Sequence, residues 1–112
     1  MTDSNPDQPV VLLSTASSLE EAGRIARALV DERLAACCNL LPGVRSIYRW
    51  EEVVEESDEV LMVIKSVAAR VDAIGERILE LHSYQTPELV VLPVSGGLES
   101  YLRWIAANVN GG

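Results

Sequence analysis

The residues able to do chemistry in this 112-residue chain are few and scattered. His82 is its single histidine, with Tyr84 and Glu88 close behind it, and Lys65 ends an apolar run. Together these four supply an imidazole, a phenol, a carboxylate and an ammonium. Such a set suits a small-ligand cleft, and it suits an inter-subunit hydrogen-bond network equally well. Imidazole is a common metal ligand, but no second His and no CxxC accompanies it. His82 therefore also reads as a cap on the last carbonyls of a helix. Cys37 and Cys38 are adjacent, so in a strand their thiols point to opposite faces and cannot easily grip one metal ion together. They read as two small buried hydrophobes, with a soft-metal or redox role for one of them as the alternative. The acidic stretch Glu51, Glu52, Glu55, Glu56, Asp58 and Glu59 lacks the alternating ligands and central glycine of a calcium loop. It reads as a solvated turn.

Enzyme signatures are missing. There is no P-loop, no GxSxG and no GxGxxG after a strand. Any nucleophile–base arrangement would have to use His82, and no local motif supports one. The expectation is a protein without catalytic residues. The chain carries 9 Lys+Arg against 17 Asp+Glu, a formal net charge of -8, which repels phosphate backbones and argues against nucleic acid as a partner. Hydrophobic residues make up 48% and charged residues 23%, the composition of one compact globular domain. With 4% aromatics and no Phe, the core must be aliphatic. Val60–Ile64 and Leu89–Leu92 are far shorter than the ~20 apolar residues of a membrane helix. Met1–Pro9 has neither a basic start nor an apolar stretch, so no signal peptide is expected. Two cysteines are too few for a disulfide scaffold, and a cytoplasmic location is expected.

The elements that must position these residues follow from periodicity. Residues 1–9 are rich in Asp, Ser, Asn and Pro and are expected to form a flexible tail, with one domain over 10–112. Val10–Leu13 reads as a buried strand. Ser18 and Glu21 have capping-box spacing, and Ala22, Ile25, Ala26, Leu29 and Val30 line one face of a helix. Leu34–Leu41 and Val44–Trp50 are strand-like, and the Pro42-Gly43 between them predicts a bend in one long strand. The chain is expected to reverse within 51–59 and continue as a strand over Val60–Lys65. Val67, Val71, Ile74, Ile78 and Leu81 predict a second helix. His82–Pro87 forms its exit loop. Leu89–Val94 reads as a strand, and Tyr101, Leu102, Ile105 and Val109 as a terminal helix. The order β-α-β-β-α-β plus a helix is an α+β, ferredoxin-like sandwich. Its two central strands are long and end in Tyr48 and Trp50, which points to self-association.

The ordered set Leu34-Ala35-Ala36-Cys37, Leu41-Pro42-Gly43-Val44, Ser46–Trp50, Val63–Ser66, His82–Leu89 and Tyr101–Ile105 resembles the CutA family, the divalent-cation tolerance proteins, over about residues 10–109. The resemblance implies a tight homotrimer with a ferredoxin-like fold, a role in tolerance of copper and other divalent metals, and no established catalytic reaction. It also implies a trimer similar to the PII-type signal proteins, whose inter-subunit clefts bind small effectors. Cys37, Trp50, Lys65, His82, Tyr84 and Glu88 match positions characteristic of the family. Trp50, Lys65, Tyr84 and Glu88 are thus candidates for a ligand cleft or an inter-subunit contact. His82 is the candidate metal ligand, with Cys37 as a further donor for a copper or other divalent ion that is not an obligatory cofactor. The chain departs from the family at Glu51-Glu52-Val53, where Glu-Gly-Lys is common, and at Ser83, where the family pattern has Pro. Ser14 and Leu81 stand where some bacterial members carry a copper-associated Cys and a second His. Copper binding through His82 is therefore expected to be weak.

Overall fold

The computed structural model describes residues 5–109. Met1–Ser4 of the expected tail lie outside the described residues. Strand β1 (Pro9–Ala16) buries Val10, Leu12, Ser14 and Ala16 on one face, as its period of two requires. Just before it, the amides of Ala68 and Ala69 donate to the carbonyls of Gln8 and Pro6 at 2.8 and 3.0 Å. Helix α1 (Leu19–Asp31) starts at Ser18, whose hydroxyl accepts the Glu21 amide. The Glu21 carboxylate turns one residue further back, to Ser17, instead of closing the box on Ser18. Ala22, Ile25, Ala26 and Leu29 are buried as the helical spacing predicts, while Val30 stays 39% exposed at the edge of that face.

Strand β2 (Cys37–Trp50) and strand β3 (Val53–Val67) form one long antiparallel hairpin. The bend falls at Pro42-Gly43. Leu41 pairs with Leu61 and Val44 with Glu59, so two residues of β2 face the single Val60. This is a β-bulge, and Gly43 takes φ +85 there, a region open to glycine at no steric cost. The reversal is narrower than expected. Trp50 pairs with Val53, and only Glu51 and Glu52 turn the chain, both at positive φ. That is the hairpin geometry which matches strand twist. Glu55–Glu59 are therefore strand, not solvated turn, and Arg45 holds Glu56 and Asp58 at 2.9 Å each. These pairs are well exposed, so solvent screening leaves them little weight in stability.

A 3-10 turn (Ala68–Arg70) leads into α2 (Val71–Leu81), so α2 begins four residues later than the periodicity predicts. Val67 belongs to β3. Strand β4 (Val90–Pro93) pairs with β1, giving the sheet order β2-β3-β1-β4, and α3 (Glu99–Val109) closes the described chain. One core joins β1, β3, α1 and α2 through residues such as Leu12, Ile25, Met62, Ile64 and Ile78. Burying each large side chain stabilises the fold by about 1.5–3 kcal/mol. A smaller cluster of Ala36, Val67, Ile105 and Val109 lies where α3 meets the sheet. Beyond the helices, the β2–β3 hairpin projects as an arm whose Ile47, Trp50, Val53 and Val54 stay exposed. Among the described residues no helix is long and apolar enough to cross a membrane.

Candidate functional site

The end of β1, the start of α1 and the exit of α2 meet around His82, whose side chain is fully buried. Its Nε2 lies 2.7 Å from the Thr15 carbonyl, and its Nδ1 accepts the Tyr84 amide at 3.0 Å. A carbonyl only accepts and an amide N–H only donates, so the ring proton sits on Nε2. The lone pair on Nδ1, the atom a metal would need, faces Tyr84 N–H, with Glu21 Oε2 at 3.6 Å. Glu21 is 5% exposed and accepts from the Ser17 amide, the Ser17 hydroxyl and the Ser83 amide. Burial alone would raise its pKa. The Ser17 and Ser83 hydrogen bonds outweigh that and bring it to about 2.

From His82 the chain runs to Tyr84, whose ring lies 4.5 Å from the imidazole. The Tyr84 hydroxyl donates to Glu59 Oε2 at 2.5 Å. Burial and then the Glu59 bond push the phenol above its ordinary range, so it remains a donor. Glu59 is 8% exposed. It forms the floor of a cleft of about 680 Å³ between the hairpin arm and the loop 84–88, lined also by Tyr48, Trp50, Glu55 and Glu88. The bulge decides which side chains meet there. By alternation from Val44, residues Ser46, Tyr48 and Trp50 share the face of Glu59 and Glu55, while Arg45, Ile47 and Arg49 belong to the opposite one.

Of the expected cleft residues, Trp50, Tyr84 and Glu88 come together, and Lys65 does not join them. Lys65 pairs with Cys37 toward the other end of the sheet, and its Nζ lies 5.9 Å over the Tyr101 ring, which stacks on Trp104. Cys37 and Cys38 diverge as strand neighbours must. Cys38 packs on the helix-side core, and burial followed by the charge of Cys37 pushes its thiol up to about 12. Ser14 is buried and donates to the Glu88 carbonyl at 2.8 Å, and Leu81 packs against the main core. Among the described residues, no three His, Cys, Asp or Glu side chains converge to hold a metal ion, so this chain's own donors do not fit a closed metal site. Sequence reading missed Glu59, hidden in an acidic run, and the anchoring role of Glu21. The capping-box spacing of Ser18 and Glu21 was the available signal for Glu21, whereas the pairing of Glu59 with Val44 across the bulge emerges only in the structure.

A four-stranded antiparallel sheet with helices against it and a projecting hairpin defines a ferredoxin-like α+β domain. The family model described as CutA1 divalent ion tolerance protein matches residues 10–108. The divalent-cation tolerance protein CutA of Pectobacterium atrosepticum is 46% identical over 109 residues, covering 97% of this chain and 99% of its own. The crystal structure of CutA from Xylella fastidiosa superimposes with a TM-score of 0.89 at 41% identity, covering 91% of this chain and 98% of its own. A third similar protein, from Archaeoglobus fulgidus, bears the name periplasmic divalent cation tolerance protein CutA; it has a TM-score of 0.88 at 36% identity and covers 90% of this chain and 98% of its own. The chain belongs to the CutA1 divalent ion tolerance family.

Proposed function

We propose that this chain serves divalent-metal tolerance as a non-enzymatic homotrimer that takes up copper weakly. The observation behind weak binding is the state of His82. Both ring nitrogens are engaged, so a copper ion reaching the ring must break the bond to Thr15 or to Tyr84. Cys37, the softer donor, is half-buried beside Lys65 and without a metal-ligand partner among the described residues. Calorimetric titration of copper into the wild type, His82→Ala and Cys37→Ser tests this. Weak uptake that falls in one of the two variants supports the proposal. Tight one-to-one binding that survives both substitutions overturns it.

The trimer is supported by apolar surface that one chain leaves uncovered: Ile47, Tyr48, Trp50, Val53 and Val54 on the arm, and Val90, Val91 and Leu92 on the edge strand β4. Sedimentation at micromolar concentration should give three times the 12.2 kDa chain mass. A stable monomer refutes it. The absence of activity is supported by the engagement of His82, which leaves it no nucleophile to activate. Placement in the cytoplasm is supported by two free thiols on opposite strand faces. Fractionation with an antibody tests it. A second reading, a sensor taking a small effector, is favoured by the cleft floored by Glu59.

A further inference from the structure

We infer that His82 is a positioning residue and not a metal ligand: its ring fixes the exit of α2 so that the Tyr84 hydroxyl reaches Glu59 at the root of the hairpin arm. Cys37, the homotrimer and the tolerance role proposed above do not depend on it. The His82 side chain is fully buried where the end of β1, the start of α1 and the exit of α2 meet. Its contacts all lie within one chain, so subunits packed around the arm leave them as they are.

The path of the chain demands an acceptor at this position. Helix α2 ends where the His82 amide donates to the Ile78 carbonyl at 2.9 Å and the backbone becomes extended, at φ −81 and ψ 144. The amides that follow leave the helical ladder and need other partners. Ser83 N–H finds Glu21 Oε2 at 2.8 Å, and Tyr84 N–H finds His82 Nδ1 at 3.0 Å. The second bond closes a small ring over residues 82–84, as an Asn side chain does in an Asx turn. Nε2–H donates to the Thr15 carbonyl at 2.7 Å and pins the imidazole to the end of β1. With its amide held, Tyr84 places its ring 4.5 Å from the imidazole and its hydroxyl 2.5 Å from Glu59 Oε2 on β3. One side chain thus ties β1 and α2 to the strand that carries the arm.

The same bonds close the ring to a metal ion. Ligation through Nδ1 would strand the Tyr84 amide. Ligation through Nε2 would move the ring proton to Nδ1, where it would face the Tyr84 N–H, donor against donor. Glu21 Oε2 stands 3.6 Å from Nδ1, but it already accepts the Ser83 amide, and Oε1 accepts both Ser17 donors. Among the described residues no third His, Cys, Asp or Glu converges with these two. A metal-ligating histidine gives one nitrogen to the ion and the other to a carbonyl, carboxylate or water. His82 gives both to the backbone of its own chain.

Two substitutions separate the roles. His82→Asn removes the imidazole but keeps an acceptor for the Tyr84 amide, whereas His82→Ala removes both. On the full chain, exchange of the Tyr84 amide read by nuclear magnetic resonance should be about tenfold faster in His82→Ala and within about threefold of wild type in His82→Asn. The Glu59 carboxyl signal should move in His82→Ala and stay in His82→Asn. The wild-type ring should carry its proton on Nε2 with and without equimolar copper, and His82→Asn should match the wild type in calorimetric copper affinity. Loss of copper affinity in both variants overturns the inference, as does unchanged Tyr84 exchange in His82→Ala. If His82→Ala does not fold, His82→Asn decides alone: Tyr84 exchange and copper affinity both as in wild type support positioning, and a change in either overturns it. If the wild type takes up no copper, the copper reading falls, while the Tyr84 exchange rates still decide the role of His82.

Discussion

Replacing Glu21 by Gln should destabilise the protein at neutral pH and leave it nearly unaffected in strong acid. The Glu21 carboxylate is buried and accepts from Ser17 N–H, Ser17 O–H and Ser83 N–H at 3.2, 2.7 and 2.8 Å. Those donors hold its pKa at about 2 against an ordinary value of 4.5. At about 1.4 kcal/mol per unit, that difference corresponds to roughly 3.4 kcal/mol favouring the folded, ionised state. Ser17 and Ser83 are exposed, and solvent around them lowers the figure to about 2–3 kcal/mol. The folded-state pKa lies below the unfolded one, so the stabilisation is complete above about pH 4.5 and lost as pH falls through about 2. Gln cannot ionise, and its amide nitrogen would confront donors. Urea unfolding of both proteins at fixed concentration should show a gap of about 2–3 kcal/mol at pH 7, closing to below about 1 kcal/mol near pH 2. A gap that is the same at both pH values would show that shape, not charge, holds Glu21 in place.

Three further outcomes follow from the same geometry. Glu51→Asn with Glu52→Gly, which suits the two positive-φ positions of the hairpin turn, should raise stability by about 1 kcal/mol in urea; unchanged stability would mean the turn carries no strain. In the Cys37→Ser background, Cys38, with its thiol pushed up to about 12, should resist a thiol reagent at pH 8 until urea is added; rapid labelling of the native protein contradicts its burial. Ile64→Ala, at a position with no solvent exposure between the sheet and its helices, should cost about 2–5 kcal/mol in the same assay; a loss below about 1 kcal/mol would mean the core closes over the gap.

Elements whose two sides differ were legible in the sequence. Helix α1 declared itself because Ala22, Ile25, Ala26 and Leu29 repeat at helical spacing and all face one core. The bend at Pro42-Gly43 was legible because each residue restricts what a strand can do there. The arm was not. Residues 53–56 are exposed on both faces, so no alternation marks them as strand, and the turn that ends them uses Glu51 and Glu52 where Asn or Gly would have signalled it. Val67 misled for another reason. It stands four residues before Val71 and mimics a helical neighbour, yet it is buried from a strand against α3. Lys65 was grouped with His82 because both end an element of the same half. The sheet carries its side chain to Tyr101 at the other end.

The chemistry of the cleft depends on a single extra residue in β2. With an even register through positions 42 and 43, alternation from Leu41 would put Arg45, Ile47 and Arg49 on the face of Glu59. Two guanidiniums would then stand over the carboxylates, and the cleft would be neutralised by the arm's own charges. The bulge shifts that alternation by one, so Arg45 pairs with Glu56 and Asp58 on the outer face, Arg49 lies there opposite Val54, and Tyr48 and Trp50 turn inward. Gly43 makes the shift sterically cheap, and an added Cβ would find nothing within 4 Å, so φ +85 alone favours glycine at that position. A backbone irregularity in β2 thus sets which charges the protein offers to a ligand.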